Sequence, residues 1–537
     1  MEQIESKVKR DPSMLGKRAA GKAMILVIIL GSVLMVCSRD KSDNMVPEGS
    51  EAGDMTIEPC VFETKSGRYN ADCGTLIVPE SWDKTASRLI ALPIMRVHAI
   101  VDKPAEPVFY LAGGPGQSNM KFKPPDDLLA NHDFVLVGYR GVDGSSGLDC
   151  PEVKRAIKGI GGDLLSPSSL TNLGKAFRQC ATRLQAEGVD LNAYTMLDVI
   201  RDMETARTTL GYGCVNLLSQ SYGTRIAQIY AYQHPKIIHR SVMVGVNPPG
   251  RFVWEPDTID RQIEYYGRLC AQDSGCNART SDLTQTMRNV IHNMPRHWLF
   301  LPIDAGKVKL ITFALLYHRN TAAQVFDTYI AAEKGDPSGL ALMTVAYNLM
   351  FPSMITWGDL AAKAISADFD RTRDYATEMD PPHSILGSPF SKLLWSLVDW
   401  PTASIPDEFR KAQHSSVETL LLSGSVDFST PAEYATHELL PLISNGKQVI
   451  LAEMGHTNDL WNVQRTATIR LLTSFYDTGV ADDSLFTYAP MDFHVSWGFS
   501  KLAKIAIAFV LLIVLGLLGL VWVIIRRIRR RIARQVV

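Results

Sequence analysis

A short stretch in the first half of the chain, residues 214–225, predicts a strand, a sharp turn and a helix in immediate succession. The strand runs from Val215 to Leu218, the turn from Ser219 to Gly223, and apolar residues at helical spacing follow. A turn of this kind holds a serine hydroxyl clear of a sheet. Small residues flank the serine because its tight backbone leaves no room for larger side chains. We therefore predict that Ser221 is a nucleophile.

The same turn supplies part of an oxyanion hole. The Tyr222 amide falls at the start of the predicted helix, where it can donate to a developing negative charge. The first small position of the turn is Ser219, where glycine is usual, and serine is the next-smallest polar choice.

A second donor is expected from the segment Ala112 to Ser118, which follows another predicted strand and contains three glycines. Glycines let backbone amides approach a substrate closely, and we select Gly114 as the donor, with Gly113 next. An ordinary turn at the end of a strand is the alternative. The segment lacks the Lys-Ser/Thr ending of a phosphate-binding loop.

A serine nucleophile needs a base and a group that orients the base. Asp427 follows the predicted strand 419–422, and His456 follows the next one, 448–451. The carboxyl ends of parallel strands lie at one edge of a sheet, so both side chains are expected beside Ser221 in the order Ser, Asp, His. The alternatives are a turn-forming aspartate and a structural histidine, one of 12 in the chain.

The fold predicted from these patterns is α/β, with a mainly parallel sheet and helices on both faces. We expect a first core part at 58–247, a helical cap at 248–413 and a second core part at 414–480. Buried-type strands are predicted at 108–111, 134–137, 215–218, 241–246, 419–422 and 448–451, and a helix is predicted at 197–210.

Both ends of the chain predict export and membrane attachment. Basic residues precede a short apolar stretch at 23–36, so residues 1–37 are predicted to be a signal peptide or signal anchor, followed by a flexible linker at 38–57. A further linker at 481–504 leads to a predicted transmembrane helix at 505–525 and a basic tail at 526–537. The positive-inside rule predicts a cytoplasmic tail and a catalytic domain in the periplasm or extracellular space.

Composition narrows the possible partners. The net charge is −1 with 21% charged residues, so no global field indicates nucleic acid as a partner. No metal-ligand cluster or cofactor motif is evident, and we predict neither a metal nor a cofactor. Residues 34–37 weakly match a lipoprotein box, and lipidation at Cys37 is left open.

The cysteines agree with an exported domain. Three local pairs, Cys60/Cys73, Cys150/Cys180 and Cys270/Cys276, would form disulfides in an oxidising compartment. Cys214 is left over, and we predict a buried, unreactive thiol there. The alternative is that all of these cysteines are free residues of the core.

Taken together, the motifs resemble the proline iminopeptidase and tripeptidyl aminopeptidase branch of the α/β-hydrolases. The resemblance spans roughly residues 60–476 and rests on five segments in order: Gly113 to Gly116, Tyr139 to Ser146, Ser221 to Thr224, Gly424 to Pro431, and His456. It implies an α/β-hydrolase fold and a serine exopeptidase that acts on peptide N-termini, with the cap holding the free amine. The cysteine pairs match the exported tripeptidyl group.

The cap departs from the family pattern. The family commonly has Cys-x-Glu or Cys-x-Asp there, and a later cysteine before Trp-Pro, whereas this chain has Trp357-Gly358-Asp359 and lacks both cysteines. Gly138 also stands where the family often has aspartate. Asp359 keeps the carboxylate and is our candidate for binding the substrate ammonium, with Trp357 beside it. An exposed aspartate at a helix start is the alternative.

The hypothesis from the sequence is an exported, membrane-anchored serine aminopeptidase with peptide as its substrate. The alternative is an exported carboxylesterase or lipase, which would use the same triad on an ester. Only the cap distinguishes such an esterase from an aminopeptidase. A non-catalytic binding module is a hypothesis of another class. Oligomeric state is not predicted.

Overall fold

The computed structural model describes residues 45–64, 67–159, 162–396 and 399–535. Its centre is a nine-stranded sheet in the order β1-β2-β3-β5-β4-β6-β7-β10-β11. The strands are β1 Met55–Glu63, β2 Arg68–Pro79, β3 Leu89–Val97, β4 Ala105–Leu111, β5 His132–Val137, β6 Val215–Gln220, β7 Ile238–Val244, β10 Glu418–Gly424 and β11 Gly446–Leu451. A separate hairpin consists of β8 His297–Trp298 and β9 Leu301–Pro302.

The sheet has two parts that differ in strand direction. From β1 to β5 neighbouring strands are antiparallel, and from β5 to β11 they are parallel. Every residue of β5 and β6 is buried. Apolar runs covered by helices on both faces give this pattern, so the parallel part forms the centre of the core.

The sequence predicted the six parallel strands but not the three antiparallel ones. β1 is mostly exposed and β2 begins with polar residues, so neither shows the continuous apolar run that marks a buried strand. β1 starts at Met55, inside the segment 38–57 that was expected to be a linker. The predicted signal segment 1–37, including Cys37, lies outside the described residues.

Helices connect the strands of the core. They are α1 Asp126–Leu129, α2 Pro151–Lys158, α3 Pro167–Ala186, α4 Met196–Thr209, α5 Tyr222–Gln233, α15 Ala432–Tyr434, α16 Asn458–Asn462 and α17 Arg465–Thr478. Single 3₁₀ turns lie at Asn119–Lys121, Leu191–Ala193 and Leu440–Leu442, and a π turn lies at Ala435–Leu439. The helix predicted at 197–210 corresponds to α4, which begins with a capping box between Thr195 and Asp198.

The segment between β7 and β10 is helical apart from the small hairpin, and we call it the cap. Its helices are α6 Pro256–Gln272, α7 Ser274–Asn277, α8 Leu283–His292, α9 Ala305–Leu315, α10 Arg319–Glu333, α11 Ser338–Met350, α12 Trp357–Asp368, α13 Tyr375–Glu378 and α14 Pro389–Trp395. Two 3₁₀ turns are at Phe351–Ser353 and Asp407–Arg410. All of α12 is buried, so this helix forms the inner layer of the cap.

The C-terminal segment leaves the core and returns to the cap. Residues 481–504 were predicted to be a linker, yet Met491 and Phe493 are buried and Arg279 donates to the Phe493 carbonyl at 3.0 Å. A long helix, α18 Phe499–Gln535, follows. Its part Phe499–Arg530 is long and apolar enough to cross a membrane.

Three disulfides are present in the described chain, and they are the three predicted pairs. Cys60–Cys73 joins β1 to β2, Cys150–Cys180 joins the start of α2 to α3, and Cys270–Cys276 joins α6 to α7. The prediction for Cys214 is wrong: its side chain is exposed, because the residue precedes β6 at the edge of the sheet where its strands begin.

Candidate active site

Ser221 occupies the junction between β6 and α5 in a backbone conformation that L-residues rarely adopt, with φ 51° and ψ −120°. Its amide donates to the Val244 carbonyl at 2.9 Å, which ties the turn to β7. A Cβ added at Gly223 would lie 2.2 Å from the Leu111 carbonyl oxygen, so only glycine fits there. The strand, the close approach and the strained serine are the features of a nucleophile turn.

The serine at the first small position has a structural reason. Ser219 is fully buried, and its hydroxyl donates to the Val242 carbonyl at 3.0 Å. A buried hydroxyl is tolerated when it is hydrogen-bonded, so Ser219 replaces glycine without disturbing the turn.

The segment after β4 lies against the serine. A Cβ added at Gly113 would be 3.2 Å from Ser221 Cβ and 3.8 Å from Ser221 Oγ, whereas one at Gly114 would meet its own loop. Gly113 is therefore the glycine whose open side faces Ser221. On the other side, the Tyr222 amide is in the first turn of α5, where helical amides have no intrahelical acceptor.

Buried polar side chains hold this loop in place. The Asn119 carboxamide accepts from the Ala112 amide at 2.7 Å and donates to the Tyr110 and Val137 carbonyls. The Tyr139 hydroxyl donates to the Ala112 carbonyl at 3.2 Å. These contacts fix the loop relative to both β4 and β5, and the sequence did not identify Asn119.

Asp427 and His456 form a buried pair at the same edge of the sheet. His456 Nδ1 is 2.7 Å from Asp427 Oδ2, and the two side chains are 6% and 0% exposed. Asp427 Oδ1 accepts from the amides of Ser429 and Thr430, while Oδ2 also accepts from the Thr430 hydroxyl at 2.7 Å. The carboxylate is thus fully hydrogen-bonded, and it orients the imidazole through Nδ1, leaving Nε2 for another partner.

The imidazole lies beside the end of β7, which also holds the Ser221 turn. The Ser221 amide donates to the Val244 carbonyl, and a Cβ added at the next residue, Gly245, would be 3.0 Å from His456 Cε1. Within the described chain, the His456 ring bonds through Nδ1, and no hydrogen bond joins it to Ser221 Oγ. Catalytic hydrogen bonds are often long or poorly aligned without substrate and shorten when it binds.

Two residues that the sequence did not reveal position His456. The His456 amide donates to the Tyr317 carbonyl at 2.6 Å, and the Tyr317 ring meets the imidazole edge-on at a centroid separation of 5.0 Å. Asp459 Oδ2 accepts from the Gly455 and Arg319 amides at 2.8 and 2.9 Å. The histidine loop is therefore attached to the beginning of α10 in the cap.

An aromatic cluster extends from Tyr317 into the cap. Its members stack or meet edge-on with one another at centroid separations from 4.8 to 5.8 Å and comprise Trp254, Phe313, Tyr317, Phe390 and Phe428. The cluster gives the cap side of the candidate site an apolar character.

Asp359 does not fit its predicted role. It is fully buried; Oδ1 pairs with Lys363, and Oδ2 accepts from the Gly116 amide at 2.9 Å. Burial raises the pKa of this carboxyl, and Lys363 opposes that rise. Both oxygens are hydrogen-bonded to the chain's own groups and the side chain has no exposed surface, so a substrate ammonium finds no accessible carboxylate here; Asp359 instead supports the glycine loop.

Trp357 does not face a substrate either. It is 1% exposed, and its indole Nε1 donates to the Pro352 carbonyl at 3.0 Å. Gly138, where the family often has aspartate, lies against Pro93: a Cβ there would come within 2.7 Å of its ring.

The described residues contain no group of three or more His, Cys, Asp or Glu side chains placed to hold a metal ion.

The family model described as the alpha/beta hydrolase fold matches residues 106–269, from β4 through the nucleophile turn to α6. The chain has the α/β-hydrolase fold.

Curated relatives of this α/β-hydrolase are similar at low identity. A tripeptidyl aminopeptidase from Streptomyces lividans is 27% identical, covering 49% of this chain and 53% of that protein. The serine protease Hip1 from Mycobacterium tuberculosis is 24% identical, covering 48% of this chain and 52% of that protein. This α/β-hydrolase thus spans about half the length of the curated relatives it matches. Among solved structures, an esterase from Exiguobacterium antarcticum is 14% identical with a TM-score of 0.35, covering 74% of this chain and 98% of that one.

Proposed function

We propose that this chain is a membrane-anchored serine hydrolase that cleaves peptides near their N-termini. The observation that carries the proposal is the Asp427–His456 pair, buried at the edge of the sheet where Ser221 occupies a strained turn. The similarity to a tripeptidyl aminopeptidase and to a serine protease supports peptide as the substrate.

The proposed reaction is acyl transfer through Ser221. The Ser221 oxygen attacks the scissile carbonyl while His456 Nε2 takes its proton and then gives it to the leaving amine. Asp427 keeps the proton of the imidazole on Nδ1 and stabilises the imidazolium. The amides of Tyr222 and of the Gly113–Gly114 segment donate to the oxyanion. Water then releases the acyl group by the same steps in reverse.

Attachment and location form the second part of the proposal. Helix α18 would span the membrane, with Arg526, Arg527, Arg529 and Arg530 on the cytoplasmic side. The three disulfides support a catalytic domain in an oxidising compartment, either periplasm or extracellular space.

A fluorophosphonate probe tests the nucleophile. We expect labelling of Ser221 in the full chain and none in Ser221→Ala, with unchanged thermal unfolding in the variant. Equal labelling of both proteins would reject Ser221.

The leaving-group and amine preferences are tested with an aminoacyl anilide and its N-acetylated form. An aminopeptidase hydrolyses the free amine form and loses most of its rate on the acetylated one. Equal rates on both forms, with faster hydrolysis of simple esters, would instead favour a carboxylesterase using the same triad.

A further inference from the structure

The cap carries exposed apolar side chains in two neighbouring places. At the tip of the β8–β9 hairpin, Leu299 and Phe300 are 59% and 70% exposed. At the end of α11 and just after it, Leu349, Met350 and Met354 are 61%, 60% and 52% exposed. We call these five residues the apolar tips. Contiguous exposed apolar surface in a folded protein marks a site of protein or membrane contact.

The two places belong to one face of the cap. Both strands of the hairpin pack on α11. Just after the hairpin, the Asp304 amide donates to the Thr344 hydroxyl at 3.2 Å, and Lys307 Nζ donates to Asn348 Oδ1 at 2.9 Å. These bonds place the hairpin beside the second half of α11, whose exposed end carries Leu349 and Met350.

The same helix packs against α18. The Ser338 hydroxyl donates to the Ser500 carbonyl at 3.2 Å, and a Cβ added at Gly339 would lie 2.8 Å from Ser500 Oγ. Lys504 Nζ pairs with Asp336, just before α11, at 2.6 Å. The helix that bears part of the apolar tips is therefore attached to the proposed membrane span.

The hairpin tip has the composition of a membrane-contacting turn. Residues 298–301 are Trp-Leu-Phe-Leu, and Arg296 and His297 before them are exposed. Leu299 adopts a left-handed backbone with φ 52°, a conformation that hairpin turns usually assign to glycine or asparagine. The Leu299 side chain is exposed in this conformation, so it projects away from the cap. Aromatic and basic residues are favoured where a protein meets the headgroup region.

We propose that the apolar tips insert into the outer surface of the lipid bilayer beside α18, so that the cap lies on the membrane. This inference rests on the proposed membrane span. It also concerns the candidate site, because Met354 is two residues from Thr356, whose amide donates to the Gly116 carbonyl at 2.9 Å. The segment that contacts lipid is thus continuous with the segment that covers the glycine loop.

Depth-dependent fluorescence quenching tests the proposal on the full chain in liposomes. A background with Cys37→Ser and Cys214→Ser receives one cysteine in place of Phe300 or of Met350, which is labelled with a bimane dye. Ile100→Cys is the matched control, because Ile100 is 66% exposed and follows β3 at the edge of the sheet where β5 begins, away from the cap. Leu299→Cys and Met354→Cys are replacements should either labelled variant fail to fold.

Lipids that carry a bromine or nitroxide quencher in the acyl chain should remove at least about half of the fluorescence at positions 300 and 350, and little at position 100. Iodide in the buffer should quench the dye at position 100 only. Dyes at 300 and 350 that iodide reaches and lipid does not would overturn the proposal. Dyes shielded from both quenchers would also overturn it, since a protein segment would then cover the tips.

Alkaline carbonate extraction separates this inference from the span on which it rests. If the chain stays in the membrane pellet but lipid does not quench the dyes at positions 300 and 350, only the proposed contact between the cap and the bilayer is contradicted. A chain that carbonate releases into the supernatant contradicts the span, and the contact proposed beside it is then rejected as well.

Discussion

Tyr317 of the cap holds His456 of the core in two ways, through its carbonyl to the His456 amide and through its ring to the edge of the imidazole. The backbone contact fixes the position of the histidine loop, and the ring contact restricts how the imidazole can rotate. The candidate base is therefore oriented by core and cap together.

Replacing Tyr317 with leucine should slow the reaction of Ser221 with a fluorophosphonate by about tenfold, equivalent to about 1.4 kcal/mol. An edge-on aromatic contact contributes about 0.5–1.5 kcal/mol, so its loss accounts for an effect of this size. Tyr317→Phe keeps the ring and loses only the hydroxyl contact with Ser429, and its labelling rate should stay near that of the unmodified chain. Equal slowing in both variants would indicate that the hydroxyl, rather than the ring, matters.

Asp427→Asn should lower the turnover rate by about 10⁴-fold, because an amide at this position no longer keeps the proton of His456 on Nδ1. The measurement is kcat on an aminoacyl anilide. Thr430→Val is the control: it removes one hydroxyl donor to Asp427 and leaves both backbone donors, so its loss should be far smaller. A loss below tenfold in Asp427→Asn would remove this residue from the proposed triad.

Asp359→Leu should lower the free energy of unfolding by about 3–5 kcal/mol, because it leaves Lys363 buried without its partner. The double variant Asp359→Leu/Lys363→Met should recover much of that stability, since both charges are then absent. Its activity should stay low, because the Gly116 amide has lost its acceptor. Urea unfolding and kcat together separate the two effects, and a fully active double variant would show that Asp359 does not support the glycine loop.

The same pair predicts a pH dependence. Burial raises the pKa of Asp359, so the folded chain holds this proton more tightly than the unfolded chain does. The native protein should therefore lose stability relative to the double variant as pH rises from about 4, the ordinary pKa of an aspartate, through the raised folded value. Urea unfolding of both proteins at several pH values tests the sign, and a difference that moves the other way contradicts it.

Thiol labelling should report at most two free cysteines in the oxidised, denatured chain, Cys37 and Cys214, and six more after reduction. Because Cys214 is exposed, a maleimide should label it in the folded protein as well, and Cys214→Ser should remove that labelling. Six or more free thiols before reduction would contradict the disulfides.

Loop length predicts how much each disulfide contributes. By chain entropy alone, removing Cys150–Cys180 should cost about 3.6 kcal/mol of unfolding free energy and removing Cys270–Cys276 about 2.2 kcal/mol. Double alanine variants compared by denaturant unfolding check the order, and a larger loss for the shorter loop would contradict this entropic reason.

The sequence was most informative for segments whose structure follows from their own residue pattern. β6 and the Ser221 turn were predictable because a buried apolar run and a small-residue turn follow each other directly. The cysteine pairs were predictable because each closes a short loop. β1 and β2 were not, because β1 is mostly exposed and β2 begins with polar residues. β3 has an apolar run at 89–95, but the proline within it, Pro93, counts against a strand.

The errors in the cap and in Cys214 have one physical cause: a single sequence does not show what surrounds a side chain. Asp359 has the residue type of an ammonium ligand, but Lys363, one helical turn away, already pairs with it. Tyr317 and Asp459 contact the His456 loop across the boundary between cap and core, and no local spacing indicates such contacts.

The attachment of α18 to α11 determines which part of the molecule is free to move. Within the described residues, Asp336, Ser338 and Gly339 fasten the anchor to the cap, and the sheet with Ser221 is a separate layer below it. If α18 spans the bilayer as proposed, any opening between cap and core leaves the cap stationary on the membrane. The sheet, carrying its serine, would be the part that swings toward the solvent.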